Sequence, residues 1–349
     1  MEVSEKKKRA ETRKALRDAI LSEHLDEVKL LTQYEHIHIN KMEMFHKSSN
    51  QDSGFLGHGK LSFLHLAVYY STNDIVKFLI EKGANINSVG WVYMDIGVVK
   101  EWVTPLSLAF KRGQLDLVRL LVSSGADVNQ RLRGKQIHEE EGAFMDFLDS
   151  SNTLLHCAVL DQRTDLLETL LSCGADINSK NSRGETPLSL AILAYNPQIF
   201  NTIIQYGGID NSIGEVGLSP LGHLQELACG IDELKDIVNL LLSGGYDIWN
   251  DKYFTIYLKM RLFESSYLDS FVESLKDWYL NPQRLTQLCR STIRRSMRNQ
   301  CNPSAITTLP LPARLKSYLL LQKESALVLR WLSDATQHTR HCSLGQAPF

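Results

Sequence analysis

A unit of two short helices, repeated along the chain, constrains this fold more than any other feature. Residues 153–178, TLLHCAVLDQRTDLLETLLSCGADIN, show the unit most clearly. Apolar side chains recur at helical spacing from Leu154 to Val159, and leucines do so again from Leu166 to Leu171. Thr153 can cap the first helix, and Gly174 can end the second in the left-handed conformation. Helices this short are unstable alone, so the unit must pack against copies of itself.

Copies of the unit follow at a fixed period. A step of 33 residues leads from Leu154 to Pro187, and a second step of 33 leads to Pro220. In four repeats the alanine of the first helix precedes the closing glycine by 16 residues, in the pairs Ala67–Gly83, Ala109–Gly125, Ala158–Gly174 and Ala191–Gly207. Pro187 and Pro220 follow a hydroxyl residue, as Pro105 does, and a proline at the first helical position loses no hydrogen bond.

The starts TPLSLA and SFLHLA and the ends GANIN, GADVN and GADIN resemble those of the ankyrin repeat, over about residues 16–250. The resemblance implies a mainly α fold, an α-solenoid of a capping repeat and about five further repeats. Ahead of it, residues 1–15 are a basic helix or tail. The lysines and arginine at 6–9 fit a solvated helix face, and a nuclear localisation signal is the alternative.

Long linkers interrupt the array at residues 41–60, 88–103 and 131–151. The second and third linkers lengthen the spacing between repeats by about nine and sixteen residues beyond the 33-residue period. Such insertions lie on one face of an array. They contain aromatic and methionine side chains, which are enriched in protein-binding hot spots. We therefore expect a target protein to contact Trp91, Tyr93, Met94, Trp102, Phe144, Met145 and Phe147. The alternative is that these side chains pack beneath the array as satellite clusters.

Composition excludes several classes of function. The formal net charge of −2 gives no overall attraction to nucleic acid or membranes, and no run is long enough to span a bilayer. The charged start does not fit a secretory signal, so we expect a cytoplasmic protein, with the nucleus as an alternative. The six cysteines form no Cys-x-x-Cys pair, and Cys157 and Cys173 are typical of reduced core residues.

No catalytic motif is found. A Gly-rich phosphate loop, a nucleophile elbow and a metal-ligand cluster are all missing from the sequence, so we expect no enzyme activity, no cofactor and no metal. His65 and His156 occupy equivalent repeat positions, where we expect the ring to bond neighbouring backbone. His338, His341 and Cys342 could ligate a metal only with a fourth ligand, and a disordered tail over residues 323–349 fits better.

Beyond the array the pattern changes. Residues 251–280 have longer apolar stripes, typical of helices that link or cap the array. In residues 281–322, Leu285, Leu288, Cys289 and Ile293 form a narrow helical stripe, and the turn at 309–312 precedes a second apolar-faced helix. Two such helices with little core between them indicate a small docking module that needs a partner.

This module resembles a SOCS box. Leu285, Cys289 and Ile293 match the elongin-binding pattern Leu-x-x-x-Cys-x-x-x-aliphatic, although Arg284 stands where a small residue is usual. Leu309, Pro310, Leu311 and Pro312 match the cullin-binding pattern. Together with the array, the chain resembles the ankyrin repeat and SOCS box family. The resemblance implies an adaptor that binds a target protein and recruits elongin B, elongin C, cullin-5 and a RING-box subunit. An ankyrin scaffold without ligase activity is the alternative.

The module is also strongly basic. It contains seven cationic residues and no acidic one, namely Arg284, Arg290, Arg294, Arg295, Arg298, Arg314 and Lys316. This charge would suit nucleic acid or an anionic membrane, but aromatic residues that could stack on bases are not interleaved with it. An acidic partner protein explains the same charge by electrostatic steering, so we expect no nucleic acid and no membrane as partner.

Overall fold

We analysed a computed structural model of the chain. It describes residues 2–34, 37–45, 59–70, 72–93, 99–131, 136–137, 152–194, 196–209, 220, 231–246, 289–290, 292–294 and 303–321. The predicted linker or cap 251–280 and the tail 323–349 lie outside these residues. The chain divides into two compact units, Met1–Leu154 and Leu155–Phe349, which are treated separately below.

Helix pairs build both units. The first unit contains α1 (Glu2–Leu21), α2 (Leu25–Leu31), α3 (Phe63–Tyr70), α4 (Asn73–Glu81), α5 (Pro105–Lys111) and α6 (Leu115–Ser123). After them come α7 (Leu154–Leu160), α8 (Thr164–Ser172), α9 (Pro187–Leu193), α10 (Pro197–Gln205), α11 (Ile231–Gly244), α12 (Pro303–Thr308) and α13 (Ala313–Leu319). The mainly α fold and the two-helix repeat are confirmed. Helix α1 passes through residue 16, where the sequence suggested that the capping repeat begins.

Capping fixes the helix starts that the sequence marked. Thr104 Oγ1 accepts from Ser107 N–H at 3.1 Å, and Ser107 Oγ accepts in return from Thr104 N–H at 2.8 Å. The same reciprocal pair occurs between Thr186 and Ser189 at the start of α9. Each pair satisfies two backbone N–H groups that the first helical turn leaves without intrahelical partners.

Asparagine side chains join the turns of successive repeats in the first unit. Asn40 Nδ2 donates to Gly83 O at 3.0 Å, and Asn40 Oδ1 accepts from Asn85 N–H at 2.6 Å. One repeat later, Asn87 Nδ2 donates to Gly125 O at 3.1 Å, and its Oδ1 accepts from Asp127 N–H at 2.9 Å. Each amide satisfies backbone groups of the next turn. These hydrogen bonds, together with apolar packing, therefore hold neighbouring repeats in register.

A β-sheet forms where the sequence analysis anticipated only linkers. Its strands, in spatial order and all antiparallel, are β1 (Glu43–Phe45), β2 (Gly59–Leu61), β3 (Gly90–Tyr93), β4 (Val99–Val103) and β5 (Gln136–Ile137). They come from the three long linkers of the first unit. The interpretation of these segments as irregular loops was therefore wrong for the paired residues, because strand pairing satisfies their backbone groups.

His65 has the structural role predicted for it. The ring is fully buried, its Nε2 lies 3.2 Å from Val103 O, and its Nδ1 lies 2.7 Å from Ser62 Oγ. A carbonyl can only accept, so Nε2 carries the hydrogen and Nδ1 accepts. His156 makes the equivalent contact in the second unit, with Nε2 3.1 Å from Glu185 O. Burial desolvates His65 and lowers its pKa to about 4, so the ring is neutral at pH 7.

This pKa shift predicts acid sensitivity of the first unit. The unfolded chain binds a proton at His65 near pH 6.5, whereas the folded chain does so only near pH 4. The stability from this residue is therefore complete above pH 6.5 and falls by up to about 1.4 kcal/mol per pH unit down to pH 4. In urea unfolding across that window, His65→Gln should flatten the slope and the exposed control His24→Gln should keep it. Equal slopes for wild type and His65→Gln would contradict the assignment.

Candidate partner-binding surfaces

Alternate residues of the sheet point to opposite faces. Leu61, Val92 and Val103 share the inner face, and each is at most 2% exposed. The opposite face carries a row across four strands, because Met44 pairs with Lys60, Lys60 with Trp91, and Trp91 with Trp102. We call Met44, Lys60, Trp91 and Trp102 the outer sheet row. Met44 is 49% exposed, Lys60 is exposed, and both tryptophans are half-buried.

The close pairing of β2 with β3 requires glycine at two positions. A Cβ on Gly59 would lie 2.4 Å from Trp91 O, and a Cβ on Gly90 would lie 2.7 Å from Lys60 O. Any larger residue would push the strands apart, so these glycines determine where Lys60 and Trp91 meet. At the next strand, the ion pair of Glu101 with Lys111 attaches β4 to α5. The position of the outer sheet row is therefore fixed by strand pairing, by the buried side chains of the inner face and by the ion pair of Glu101 with Lys111.

The structure brings together part of the predicted target-binding set. Trp91 and Trp102 are directly opposite each other, and Tyr93 lies in β3 two residues beyond Trp91. Met94, Phe144, Met145 and Phe147 lie outside the described residues. Lys60 and Met44, which the sequence analysis did not select, complete the row. The sequence could have indicated Lys60 and Met44 only if the linker that contains β1 and β2 had been recognised as a hairpin, since alternation then places both residues on the outer face.

A second surface lies on the segment that resembles the elongin-binding pattern. Residues 289, 290 and 292–294 are helical, and we call them the arginine segment. Cys289 is exposed and Ile293, one turn later, is 42% exposed. Leu285 and Leu288 lie outside the described residues. An exposed aliphatic side chain and an exposed thiol on one helix face are suited to docking into an apolar groove.

Two of the seven cationic residues of the module are buried, so they do not contribute to the surface charge that the sequence analysis explained by steering of an acidic partner. Arg290 is 2% exposed and Arg294 is 1% exposed. Arg294 Nε donates to Gly244 O at 3.2 Å, Nη1 to Leu319 O at 2.6 Å, and Nη2 to Gln205 O at 3.1 Å and also to Ile204 O. These two cations therefore contribute to the interior of the second unit. Sequence charge gave no sign of this burial.

The segment resembling the cullin-binding pattern is a turn between α12 and α13. Pro310 and Pro312 are exposed and Leu309 is half-buried, whereas Leu311 packs against a small core of Ile306, Leu319 and Leu320. Leu311 N–H donates to Leu309 O at 2.8 Å, which closes the turn. Pro310 and Pro312 are thus available to a partner, whereas Leu311 holds the two helices together.

Within the parts of the chain that the structure describes, no three His, Cys, Asp or Glu side chains are grouped so that they could hold a metal ion. No helix among them is both long enough and apolar enough to cross a membrane. Cys157 and Cys173 are half-buried.

Comparison with known families agrees with both architectural elements. The family model described as ankyrin repeats (3 copies) matches residues 45–132 and 155–252, which is more than half of the chain. The family model described as SOCS box matches residues 281–320. The second match contains the arginine segment, the turn at 309–312 and helices α12 and α13.

Individual relatives are similar over part of their length. The putative ankyrin repeat protein FPV031 of Fowlpox virus (strain NVSL) is 30% identical over 52% of this chain and 47% of its own. Ankyrin repeat and SOCS box protein 6 of Homo sapiens is 34% identical over 38% of this chain and 27% of its own. The Mus musculus protein of the same name is 34% identical over 36% of this chain and 25% of its own. The chain thus spans less than half the length of these curated relatives.

Repeats at a fixed period, reciprocal helix caps and a docking module of exposed Cys289 and Ile293 agree with both family models. The chain belongs to the ankyrin repeat and SOCS box family.

Proposed function

We propose that this chain is the target-recognition adaptor of a cullin-5 RING ubiquitin ligase. Its ankyrin array binds a target protein, and its SOCS box recruits elongin B, elongin C, cullin-5 and a RING-box subunit. The observation that carries the proposal is the arginine segment, which exposes Cys289 and Ile293 while it buries Arg290 and Arg294. In this proposal the chain is a non-catalytic subunit, and its partners carry out the chemistry.

The exposed face of the arginine segment is the proposed elongin site. Cys289 and Ile293 are four residues apart, so they lie one above the other on the helix. In the sequence, Leu285 stands four residues before Cys289 and Leu288 stands immediately before it, and we propose that both belong to the same elongin-binding stripe. A helix with such a stripe binds by placing its apolar side chains in a groove, where a few anchors provide most of the affinity. The buried arginines on the neighbouring face leave this stripe available.

The turn after α12 is the proposed cullin-5 site. Pro310 and Pro312 are exposed and conformationally restricted, so a partner that contacts them pays little ordering entropy. Leu309 is half-buried beside them. Leu311 contributes by holding the turn in shape, because its side chain packs inward.

The outer sheet row and the aromatic residues of the long linkers are the proposed target site. Tryptophan is among the residue types most enriched in binding hot spots, and Lys60 adds a cation beside Trp91. Once a target is held, the ligase acts by proximity, which raises the effective concentration of target lysines near the charged ubiquitin-conjugating enzyme. The proposed localisation is the cytoplasm, with the nucleus as the alternative.

The decisive experiment is elongin capture. Cys289→Ala with Ile293→Ala should lose elongin B/C binding by at least about thirtyfold, since truncating an anchor costs on the order of 2 kcal/mol. Both side chains are exposed, so the melting temperature should stay unchanged. Leu193→Ala is the matched control, an exposed aliphatic residue of α9. A double variant that still retains elongins would favour the ankyrin scaffold without ligase activity.

Cullin-5 binding should be separable from elongin binding. Pro310→Ala with Pro312→Ala should retain elongin B/C and lose cullin-5 in a two-step pull-down, because both prolines are exposed on the turn. Leu311→Ala should weaken the box itself and lower both, since it removes packing against Ile306 and Leu319. Joint loss of elongins and cullin-5 in a folded proline variant would show that the turn is only a scaffold.

Target binding should depend on the outer sheet row. Deleting the hairpin would also remove the buried Val92 and Val103, so a point change is the sharper test. Lys60→Glu reverses the charge beside Trp91, and we expect it to reduce at least tenfold the ubiquitylated protein that coprecipitates when the proteasome is blocked. Its stability should change by less than about 0.5 kcal/mol, as for an exposed residue.

The matched control for this variant is Lys7→Glu, which makes the same charge change at an exposed position of α1. It should leave target capture unchanged. Undiminished capture by Lys60→Glu, with elongin binding intact in both variants, would move the target site away from the sheet.

A further inference from the structure

Arg294 lies where the carboxyl ends of three helices meet. Its acceptors are Ile204 O and Gln205 O at the end of α10, Gly244 O at the end of α11, and Leu319 O at the end of α13. The last four carbonyls of a helix have no intrahelical partner, so these groups need donors from outside the helix. One guanidinium supplies donors to all three ends.

The electrostatics of this position favour a cation. The carboxyl end of each helix is equivalent to about half a negative charge, and that charge is concentrated in the last turn. The guanidinium is therefore placed where aligned peptide dipoles and direct hydrogen bonds offset the loss of its hydration. Arginine fits this role better than lysine, because its planar fork directs several N–H groups towards separate acceptors at once.

Independent packing evidence marks the same junction. A Cβ on Gly244 would lie 2.9 Å from Ile204 Cγ2 and 3.9 Å from Leu321 Cδ1, so the ends of α10 and α11 and the second residue after α13 are in close contact. Leu321 is fully buried and has φ of 57°, a left-handed conformation that is unfavourable for leucine. A strained residue persists only where its surroundings hold it, so this junction is a defined contact.

We propose that Arg294 is a positioning residue that holds the SOCS box in one orientation on the ends of α10 and α11. Cys289 and Ile293 are on the same arginine segment as Arg294, so the contact also fixes the direction in which the proposed elongin-binding face points. The inference deepens the proposed function and rests on it for that last step. The contact itself belongs to the chain alone.

Side-chain replacements separate the hydrogen bonds from the volume of Arg294. Methionine keeps an unbranched apolar stem but donates no hydrogen bond. Lysine keeps the charge but presents one ammonium group, which cannot reach all three helix ends. The orientation should therefore be lost in Arg294→Met and partly restored in Arg294→Lys. Arg183→Met is the matched control, an exposed arginine in the same unit.

The experiment measures the distance between α10 and α13 in the full chain without elongins. Spin labels attached through a keto amino acid at the exposed Gln198 and Leu315 report this distance by pulsed electron resonance, without involving the native thiols. Wild type and Arg183→Met should give one narrow distribution. Arg294→Met should widen it at least twofold, and Arg294→Lys should give an intermediate width. A lower melting temperature for Arg294→Met with an unchanged width would overturn the proposal, since that is the result for packing alone.

A second variant keeps the test decisive if Arg294→Met does not fold. Gly244→Ala retains Arg294 but forces apart the ends of α10 and α11, and it should widen the distribution as well. A narrow distribution in both Arg294→Lys and Gly244→Ala would reject the positioning role. Elongin B/C capture by wild type is measured in parallel. Its failure would count against the proposed function, while the label distances would still decide the role of Arg294.

Discussion

Short helices that cannot bury an apolar face alone are the constraint on which this structure depends. Helices α2 to α10 have only seven to nine residues each, and their stability comes from the neighbouring helices. The ends must then be satisfied locally, which the Thr–Ser capping pairs do at α5 and α9. Asn40 and Asn87 extend the same principle between repeats, since one side chain satisfies backbone groups of the next turn. Within each unit, capping and burial together stabilise the short helices of the repeats.

Local chemistry explains why the repeats could be predicted and the sheet could not. Period, hydroxyl caps and closing glycines are short-range signals, and they placed α3 to α10 closely. The sheet depends on pairing between separate linkers, such as Lys60 with Trp91. Within residues 88–103 apolar residues occupy both faces, with Val92 beneath the sheet and Trp91 above it, so alternation of polar and apolar residues was hidden. Identifying the strands required contacts that no single segment contains.

The box shows the same limit in its electrostatics. The sequence motifs selected Cys289 and Ile293, and the structure exposes both of them on one helix face. The charge count included Arg290 and Arg294 among the cations that could steer a partner, although both are buried. The acceptors of Arg294 lie 25 to 90 residues away in the sequence, so their convergence is a tertiary event. A basic composition therefore described only part of this surface.

An adaptor without catalytic groups can influence rate only through geometry. Tethering raises effective concentration, but the gain falls when the tether permits many orientations that do not bring the reacting groups together. A box joined to α10 and α11 by apolar packing alone could slide or rotate, because dispersion contacts have little directionality. The proposed role of Arg294 restricts such movement, since a small rotation distorts several of its hydrogen bonds to the three helix ends together. The placement of one arginine at the junction thus connects the fold of the array to the efficiency of the proposed ligase.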